Sequence, residues 1–396
     1  MPAVVSTVFL DRMIWFIIRY SLLFDTVNGF FLHSGRDLPI SQSLKTVLLF
    51  FVICRLASSK YLIIVPLVLC YVISLFIHFS FIIPSGLWGE SINHVFKFLS
   101  VILYFYYIRH QLKYYADQTL TYIKKAIRTN TFILVGNILI GLLGLGYAQY
   151  GDTIGFRGYF YAGNEVSGVL LLLFPFTLYQ IGSEDGVFTR KYFFYSFLFL
   201  ITGVLTVTKT AILGTVLTLV CVPFICPDTG IKKKNKWKFL IVPVVFMLIG
   251  FIVYYGITQS EILDRWLTFY DQSGVRSLLS GRDNRVEEYM SHYLQSRPIE
   301  IFLGLGGCTT VEMDPFDTLF NYGILGVLFV YVFYFYLFLN ARFRKKRYLY
   351  APLAFFCNFL ILSVSSFAGH ILFSGMAGIF IAIVNGLVFY KTKASR

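Results

Sequence analysis

Apolar segments of about 20 residues recur along the whole chain, and this repetition constrains the fold more than any other feature of the sequence. Each segment is long enough to cross a hydrocarbon core about 30 Å thick as a helix. The mean hydropathy of the 396 residues is +0.71 and only 14% of them are charged. A water-soluble domain of this size does not need so much apolar sequence. The pattern predicts an all-α integral membrane protein with about 12 transmembrane helices.

The predicted spans follow one another without an internal repeat or a linker, so residues 1–396 are expected to form a single polytopic membrane domain. An even number of spans places both termini on the same side of the membrane. The spans are expected at residues 13–32, 43–59, 61–83, 92–109, 131–150, 165–182, 192–207, 210–226, 239–258, 318–340, 351–368 and 371–390.

Lysine and arginine are distributed unequally between the two sets of loops. With these spans, 21 basic residues fall on the side of the termini and nine on the other side. Cytoplasmic loops of membrane proteins carry the excess of positive charge, so both termini are predicted to be cytoplasmic. The longest loop, residues 259–317, is then extracytoplasmic.

The net charge of +14 does not predict nucleic-acid binding, because most of the excess lies in short loops between spans. The six cysteines are scattered and form no C-x-x-C pair, and the histidines have no metal-ligand spacing. We therefore expect no metal site, no cofactor and no nucleic-acid partner.

The extracytoplasmic loop contains the stretch SGRDNRVEEYMSHYLQSRP, residues 280–298. Its apolar residues recur at helical spacing, which predicts an amphipathic helix over 281–297, with Ser280 as the N-cap and Pro298 at the end. Arg282 and Arg285 share the polar face, where guanidinium groups can bind phosphate with two hydrogen bonds. The same pattern also allows them to form surface ion pairs with Asp283, Glu287 or Glu288.

Several short motifs together resemble the O-antigen polymerase and O-antigen ligase superfamily, including its bacterial cell-wall and capsular polysaccharide branch. In the long loop these are Ser280-Gly281-Arg282, Pro298, Gly304-Leu305-Gly306, Glu312 to Asp317, and Leu319, Gly323 and Gly326. Elsewhere they are DTVNGFFLHSGRDLPIS (25–41), RGYFYAGNEVSG (157–168), VTKTAILG (207–214) and FAGHILFS (367–374).

This resemblance implies a GT-C-like polytopic glycosyltransferase of the bacterial cytoplasmic (plasma) membrane. It implies transfer, without a metal, of a glycan from a polyprenyl-diphosphate lipid to a glycan or cell-surface acceptor outside the membrane. A carboxylate would take the acceptor proton, and other groups would bind the diphosphate and the glycan. The carboxylate candidates are Glu312, Asp314 and Asp317, and the substrate-binding candidates are Arg157, Asn164, Glu165, Lys209, Arg282, Arg285 and His370.

The chain departs from the family pattern at two positions. Glu312-Met313 stands where the family usually has a His-Asn pair, which favours carboxylates as the base. Lys209 stands where the family usually has an arginine, which keeps the charge but loses the two-pronged geometry.

The main alternative is a transporter, such as a polysaccharide-lipid flippase, because about twelve spans also suit that class. A membrane acyltransferase is a third possibility, although no histidine-centred motif supports it. The sequence does not separate a polymerase from a ligase. The expected partners are a polyprenyl-diphosphate-linked oligosaccharide, membrane lipids and other polysaccharide-assembly proteins.

Overall fold

The computed structural model describes residues 2–57, 72–81 without 74 and 79, 88–150, 154–187, 189–227, 281–306, 310–345 and 347–391. The predicted span 239–258, most of the span 61–83, and Ser280 lie outside these ranges, as does the first part of the long loop, residues 259–280. The described residues are mainly helical, as the sequence predicts.

The helices and strands are numbered here in chain order. The first group is α1 (Pro2–Arg19), α2 (Ser21–His33), α3 (Ile40–Ala57), α4 (Trp88–Tyr114), α5 (Ala116–Leu142), β1 (Tyr147–Tyr150), β2 (Ile154–Gly158) and α6 (Gly163–Glu184). The second group is α7 (Arg190–Leu205), α8 (Lys209–Ile225), α9 (Arg282–Leu294), α10 (Pro298–Leu303), α11 (Asp314–Arg344), α12 (Ala351–Ser365) and α13 (Gly378–Gly386), with a 3₁₀ turn at Leu387–Phe389.

Three of these helices, α3, α6 and α11, are long and apolar enough to cross a membrane. Shorter apolar helices are α8, α12 and α13 with its 3₁₀ turn. Helix α6 is apolar on all sides, and 83% of its most apolar window is buried, against 28% for α3 and 33% for α11. A helix with this pattern belongs in the interior, and α6 packs against α5, α7, α8 and α12.

Two regions that the sequence assigned to spans have a different structure. The span predicted over 131–150 ends early, because α5 stops at Leu142 and the chain turns into the antiparallel hairpin β1–β2. Gly146 allows this turn: its φ is +94°, and a side chain there would collide with the backbone of Gly158. The span predicted over 371–390 begins late, because residues 366–377 are not helical and α13 starts at Gly378.

The predicted helix over 281–297 corresponds to α9, which has Gly281 rather than Ser280 as its N-cap and ends at Leu294. Pro298 is the first residue of the next helix, α10, a position where the missing N–H is not needed. Val286, Tyr289 and Met290 of α9 pack on a small apolar cluster around Phe320. This cluster fixes α9 over the N-terminal part of α11.

Helix α11 has a kink at Gly323, where φ is +64°. The turn after α10 lies directly against this kink, since a side chain on Gly304 would come within 2.2 Å of the Asn321 carbonyl oxygen. The Leu305 N–H donates to the Phe320 carbonyl oxygen at 2.7 Å, which satisfies a backbone group at the kink. The close contact explains why glycines are needed at positions 304 and 323.

Candidate active site

The non-helical segment 366–377 between α12 and α13 is held at its first half by the carboxylate of Asp314. The backbone N–H groups of His370, Ile371 and Leu372 donate to the two Asp314 oxygens at 2.5, 3.1 and 2.8 Å. Asp314 is buried at the N-terminus of α11. Irregular backbone inside a helical bundle needs such partners, so Asp314 fixes the course of this segment.

The second half of the same segment is held by Glu165 in the first turn of α6. Its Oε2 accepts from Ser374 Oγ at 2.7 Å and from the Met376 N–H at 3.0 Å. Its Oε1 forms an ion pair with Lys97 of α4, at 3.4 Å. Glu165 therefore joins α4, α6 and the 366–377 segment, and Asn164 lies beside it, half-buried, in the same helical turn.

Asp317 fixes the chain that precedes α11. It is buried, and its two oxygens accept from the backbone N–H groups of Val311, at 2.6 Å, and Met313, at 3.1 Å. Of the three carboxylates predicted as bases, Asp314 and Asp317 are thus occupied by backbone donors. Glu312 lies between the two residues bound by Asp317, and its side chain is 35% exposed.

The backbone is strained at both Glu312 and His370, and the two positions lie close together. Their φ angles are +61° and +69°, in the left-handed region that side chains disfavour. The Gly369 N–H donates to the Glu312 carbonyl oxygen at 2.6 Å. Within the described residues the third non-glycine position of this kind is Val207, two residues before Lys209. Strain of this kind persists where surrounding contacts enforce it, and it clusters at functional sites.

Arg282 and Arg285 of α9 both point to Glu312. Arg282 donates to Glu312 Oε2 from Nε at 3.2 Å and from Nη2 at 2.8 Å, and from Nη1 to the Phe367 carbonyl oxygen at 2.7 Å. The nearest Arg285 nitrogen lies 3.9 Å from Glu312 Oε1. The sequence allowed pairing within α9, but these ion pairs instead tie α9 to the loop before α11 and to the 366–377 segment.

Lys209 is the first residue of α8, where the hydroxyl of Thr208 caps the helix by accepting from the Ala211 N–H at 3.1 Å. Its charge and that of Arg282 are near enough to repel each other. The structure thus brings together four of the predicted site residues, Lys209, Arg282, Arg285 and Glu312, with His370 beside them. We call these five residues the arginine cluster.

Two titratable groups of the arginine cluster, Glu312 and His370, could exchange a proton, and the pKa of each is lowered. Burial acts to raise the pKa of Glu312, but the hydrogen bond and charge of Arg282, with smaller contributions from Arg285 and His370, bring the pKa below its usual value. Burial lowers the pKa of His370, against the opposing charges of Glu165 and Glu312. A pKa below its usual value favours the neutral imidazole of His370 at pH 7, in which one ring nitrogen can accept a proton.

His370 opens onto a cavity of about 260 Å³, which we call the His370 cavity. On one wall, His94 stacks on Phe373 with ring centroids 4.6 Å apart, and its Nδ1 lies 2.7 Å from the Tyr322 hydroxyl. The Lys97–Glu165 ion pair forms another wall. The residues that line it are His94, Lys97, Glu165, Thr310, Asn321, His370 and Phe373.

Arg157 lies elsewhere among the described contacts. It is on β2, its Nη1 donates to the Tyr161 carbonyl oxygen at 2.5 Å, and its guanidinium carbon lies 5.2 Å from the centre of the Tyr147 ring. Burial lowers its pKa, which the two tyrosines partly oppose. Tyr161 lines a second, larger cavity of about 590 Å³ that also contains Lys97 and Glu165.

Sequence reasoning missed Asp25, Lys45, Lys97, His94 and Ser374 as members of this region. Lys97 carried a usable signal, because a charged residue inside an apolar segment faces a bundle interior or a cavity more often than lipid. Asp25 and Lys45 carried the same signal in the predicted spans 13–32 and 43–59, and Asp25 and Ser374 belong to the motifs at residues 25–41 and 367–374. The partners of these residues and of His94 are distant in the sequence, so the pattern alone did not bring them together. In the residues that the structure describes, no group of three or more His, Cys, Asp or Glu side chains could hold a metal ion.

Comparisons of the chain with protein-family models, with curated proteins and with solved structures found no match.

Proposed function

We propose that this chain is a metal-independent membrane glycosyltransferase, a polysaccharide polymerase or ligase that uses a polyprenyl-diphosphate-linked glycan as donor. The observation that carries the proposal is the convergence of Arg282 and Arg285 on Glu312, next to His370. Two guanidinium groups share one carboxylate, so an incoming diphosphate can replace or join Glu312 as their partner. The short motifs shared with the O-antigen polymerase and ligase superfamily support the same assignment.

The reaction follows from the charges and proton acceptors of the cluster. The hydroxyl oxygen of an acceptor sugar attacks the anomeric carbon of the donor glycan while the bond from that carbon to the diphosphate oxygen breaks. Arg282 and Arg285 stabilise the negative charge that develops on the leaving lipid diphosphate, which is commonly the largest contribution to catalysis. His370 takes the proton of the acceptor hydroxyl, a role for which its neutral form is required.

This assignment revises the expected division of roles among the acidic residues. Glu312 pairs with the arginines and holds them in position until the diphosphate arrives. Asp314, Asp317 and Glu165 hold the backbone and the ion pair on which this geometry depends. Lys209 adds positive charge at the start of α8. Arg157 and Asn164 are neighbours of residues that line the larger cavity, since Arg157 bonds to the Tyr161 carbonyl oxygen and Asn164 precedes Glu165.

The proposal includes the membrane arrangement: about twelve spans, cytoplasmic termini and an extracytoplasmic 259–317 loop in the bacterial plasma membrane. It predicts that the arginine cluster lies at the outer surface. A cysteine in place of Ser291, an exposed residue of α9, should react with a membrane-impermeant thiol reagent in intact cells. This is measured in a background without reactive native thiols, and labelling only after lysis would contradict the topology.

The activity is tested by giving the purified protein a radiolabelled polyprenyl-diphosphate oligosaccharide and sizing the products on a gel. Longer saccharides indicate polymerisation, and transfer to an added non-lipid acceptor indicates ligation. We expect either product to persist with a chelator present, because arginines fill the phosphate-binding role. Movement of the lipid-linked saccharide across a vesicle membrane without any new glycosidic bond would instead identify a flippase.

A further inference from the structure

The larger cavity, of about 590 Å³, lies between α2, α3, α4 and the start of α6. Its volume is within the range of about 300–1,000 Å³ that is usual for small-molecule sites. Its polar lining includes Asp25, Lys45, Lys97 and Glu165, and its aromatic lining includes Tyr104 and Tyr161. We call it the Asp25 cavity. Charged residues within a helical bundle are costly and mark substrate paths.

Asp25 is the residue that marks this cavity as a binding site. Its side chain is only 9% exposed. The hydroxyl of Ser41 and the Lys45 ammonium group both donate to Oδ1, whereas Oδ2 is buried and has no hydrogen-bond partner among the described residues. A buried carboxylate oxygen without a donor is destabilising, and a group kept in this state is more common at a functional site than in an ordinary protein core.

The sequence motif at residues 25–41 explains how this arrangement is built. Asp25 begins the motif on α2 and Ser41 ends it on α3, and the backbone N–H of Ser41 donates to Asn28 Oδ1 at 3.2 Å. The turn between the two helices therefore brings the two ends of the motif together. The proposed chemistry at the arginine cluster does not involve this motif. The motif lines one side of the Asp25 cavity instead.

The charges of the cavity select against an anionic ligand. Lys45 is paired with Asp25, and Lys97 is paired with Glu165, so the two cations are matched by two carboxylates. Among the described lining residues, the other polar side chains are amides and hydroxyls, and aromatic rings supply flat apolar surface. An uncharged ligand rich in hydroxyl groups, with an apolar face, satisfies both parts of this lining.

We infer that the Asp25 cavity binds an uncharged sugar unit of the acceptor glycan, with Asp25 and Lys45 among the polar residues that line it. The identification of this sugar as part of the acceptor rests on the proposed function. The two cavities are neighbours, because Lys97 and Glu165 line both the Asp25 cavity and the His370 cavity. One ion pair thus separates a sugar in the Asp25 cavity from the neutral imidazole that takes the proton. The position identifies the larger cavity as the side from which the attacking hydroxyl arrives.

The test is direct binding of a panel of uncharged p-nitrophenyl hexosides and N-acetylhexosaminides to the purified full chain. Binding is measured by saturation-transfer difference NMR in a detergent without a sugar headgroup, since a glycoside detergent would occupy the site. We expect at least one glycoside to bind. Asp25→Asn should lower the affinity for that glycoside by about ten- to a hundredfold, as for loss of a hydrogen bond to a charged group. Asp37→Asn, the same change at an exposed acid in the turn after α2, should leave binding unchanged.

A second variant protects the test against misfolding of Asp25→Asn. Tyr161 lines the cavity and is 63% exposed, so Tyr161→Ala removes aromatic surface without disturbing the core. Tyr161→Ala should weaken the binding of the same glycoside, whereas Phe197→Ala, at an exposed ring on α7, should not. Binding that is absent for the whole panel, or equal in wild type and both cavity variants, would overturn the inference. So would binding of inorganic pyrophosphate that depends on Asp25 and displaces the glycoside.

The binding measurement needs neither donor nor turnover, so it separates this inference from the proposed function. The protein could bind a glycoside in a way that depends on Asp25 and yet transfer no glycan. This result would support the sugar site and contradict the transferase assignment. Glycan transfer that is unaffected by Asp25→Asn and Tyr161→Ala would do the reverse.

Discussion

Arg282 donates two hydrogen bonds to a single oxygen of Glu312, from Nε at 3.2 Å and from Nη2 at 2.8 Å. The other Glu312 oxygen is 3.9 Å from the nearest nitrogen of Arg285. Because 30 residues separate Arg282 from Glu312, this pair also holds α9 against the loop before α11. The same guanidinium bonds to the Phe367 carbonyl oxygen, so one side chain joins α9, the loop before α11 and the 366–377 segment.

Replacing Arg282 with lysine should impair glycan transfer although the charge is kept. Lysine cannot bind Glu312 and the Phe367 carbonyl oxygen together in the planar geometry of a guanidinium. We expect kcat to fall roughly 100- to 1,000-fold, as for the loss of one group that stabilises the transition state. Arg297→Lys is the matched control, since Arg297 pairs with Glu300 at the start of α10 and should leave kcat near wild type.

The transfer rate should depend on the neutral form of His370. Burial places its pKa below the usual value of 6.5, so activity is retained above that pKa and lost as the pH falls through it. The groups that act on its charge are Glu165 and Glu312, which raise the pKa, and Lys97 and Arg282, which lower it. The acid limb of the pH–rate profile should have its midpoint below 6.5.

Removing the Glu312 charge should move that midpoint. Glu312→Gln takes away a negative charge that favours the imidazolium form, so the midpoint shifts to lower pH. Glu288→Gln, at an exposed position of α9, should not shift it. His370→Gln should abolish the acid limb along with most of the activity. An unchanged acid limb in His370→Gln would show that another group accepts the proton.

Asp314→Asn should destabilise the protein rather than act on catalysis alone. The carboxylate accepts three backbone N–H groups, and an amide in its place offers one oxygen and turns an N–H₂ group toward donors. Each buried group left unsatisfied costs about 1–3 kcal/mol. Thermal unfolding of the purified protein should therefore shift to lower temperature. A variant with normal unfolding and no transfer would restore Asp314 as the candidate base.

Gly369→Ala should disrupt the junction between Glu312 and His370. A Cβ atom at position 369 would lie 2.5 Å from the carbonyl carbon of Glu312, closer than atoms can pack. We expect transfer to be lost while the helices still form, measured by activity and by circular dichroism. Gly136→Ala on α5 is the control, since no atom lies within 4 Å of the added methyl group. Equal activity in the two variants would mean that this junction is not needed.

The sequence predicted the helical architecture because apolar periodicity depends only on local residues. It also placed Arg282 and Arg285 on one face of a helix, which the 3-residue spacing determines. It failed at residues 366–377, where an apolar stretch reads as a span. The helix is interrupted because Asp314 and Glu165 bind its backbone N–H groups and the Ser374 hydroxyl, and these partners are 56 to 211 residues away. A local pattern cannot contain that information.

The candidate site was predictable to a similar extent. The sequence named candidates that carry charge in a loop or beside a motif, including Lys209, Glu312 and His370, and the structure places these three in the arginine cluster. Their roles remain predictions, because Glu312, Asp314 and Asp317 have the same chemistry in sequence and differ only in burial and partners. The Asp25 cavity was beyond prediction, since it combines residues from α2, α3, α4 and α6.

The most direct test of the central claim is the length of the saccharide made by the double variant Arg282→Ala, Arg285→Ala from a radiolabelled polyprenyl-diphosphate oligosaccharide. The purified variant is compared with wild type and with Arg297→Ala at equal protein amounts. We predict that wild type and Arg297→Ala form a glycosidic bond to the acceptor, and that the double variant forms none above background while keeping its helical content. Normal product from the double variant would contradict the claim that these arginines bind the donor diphosphate.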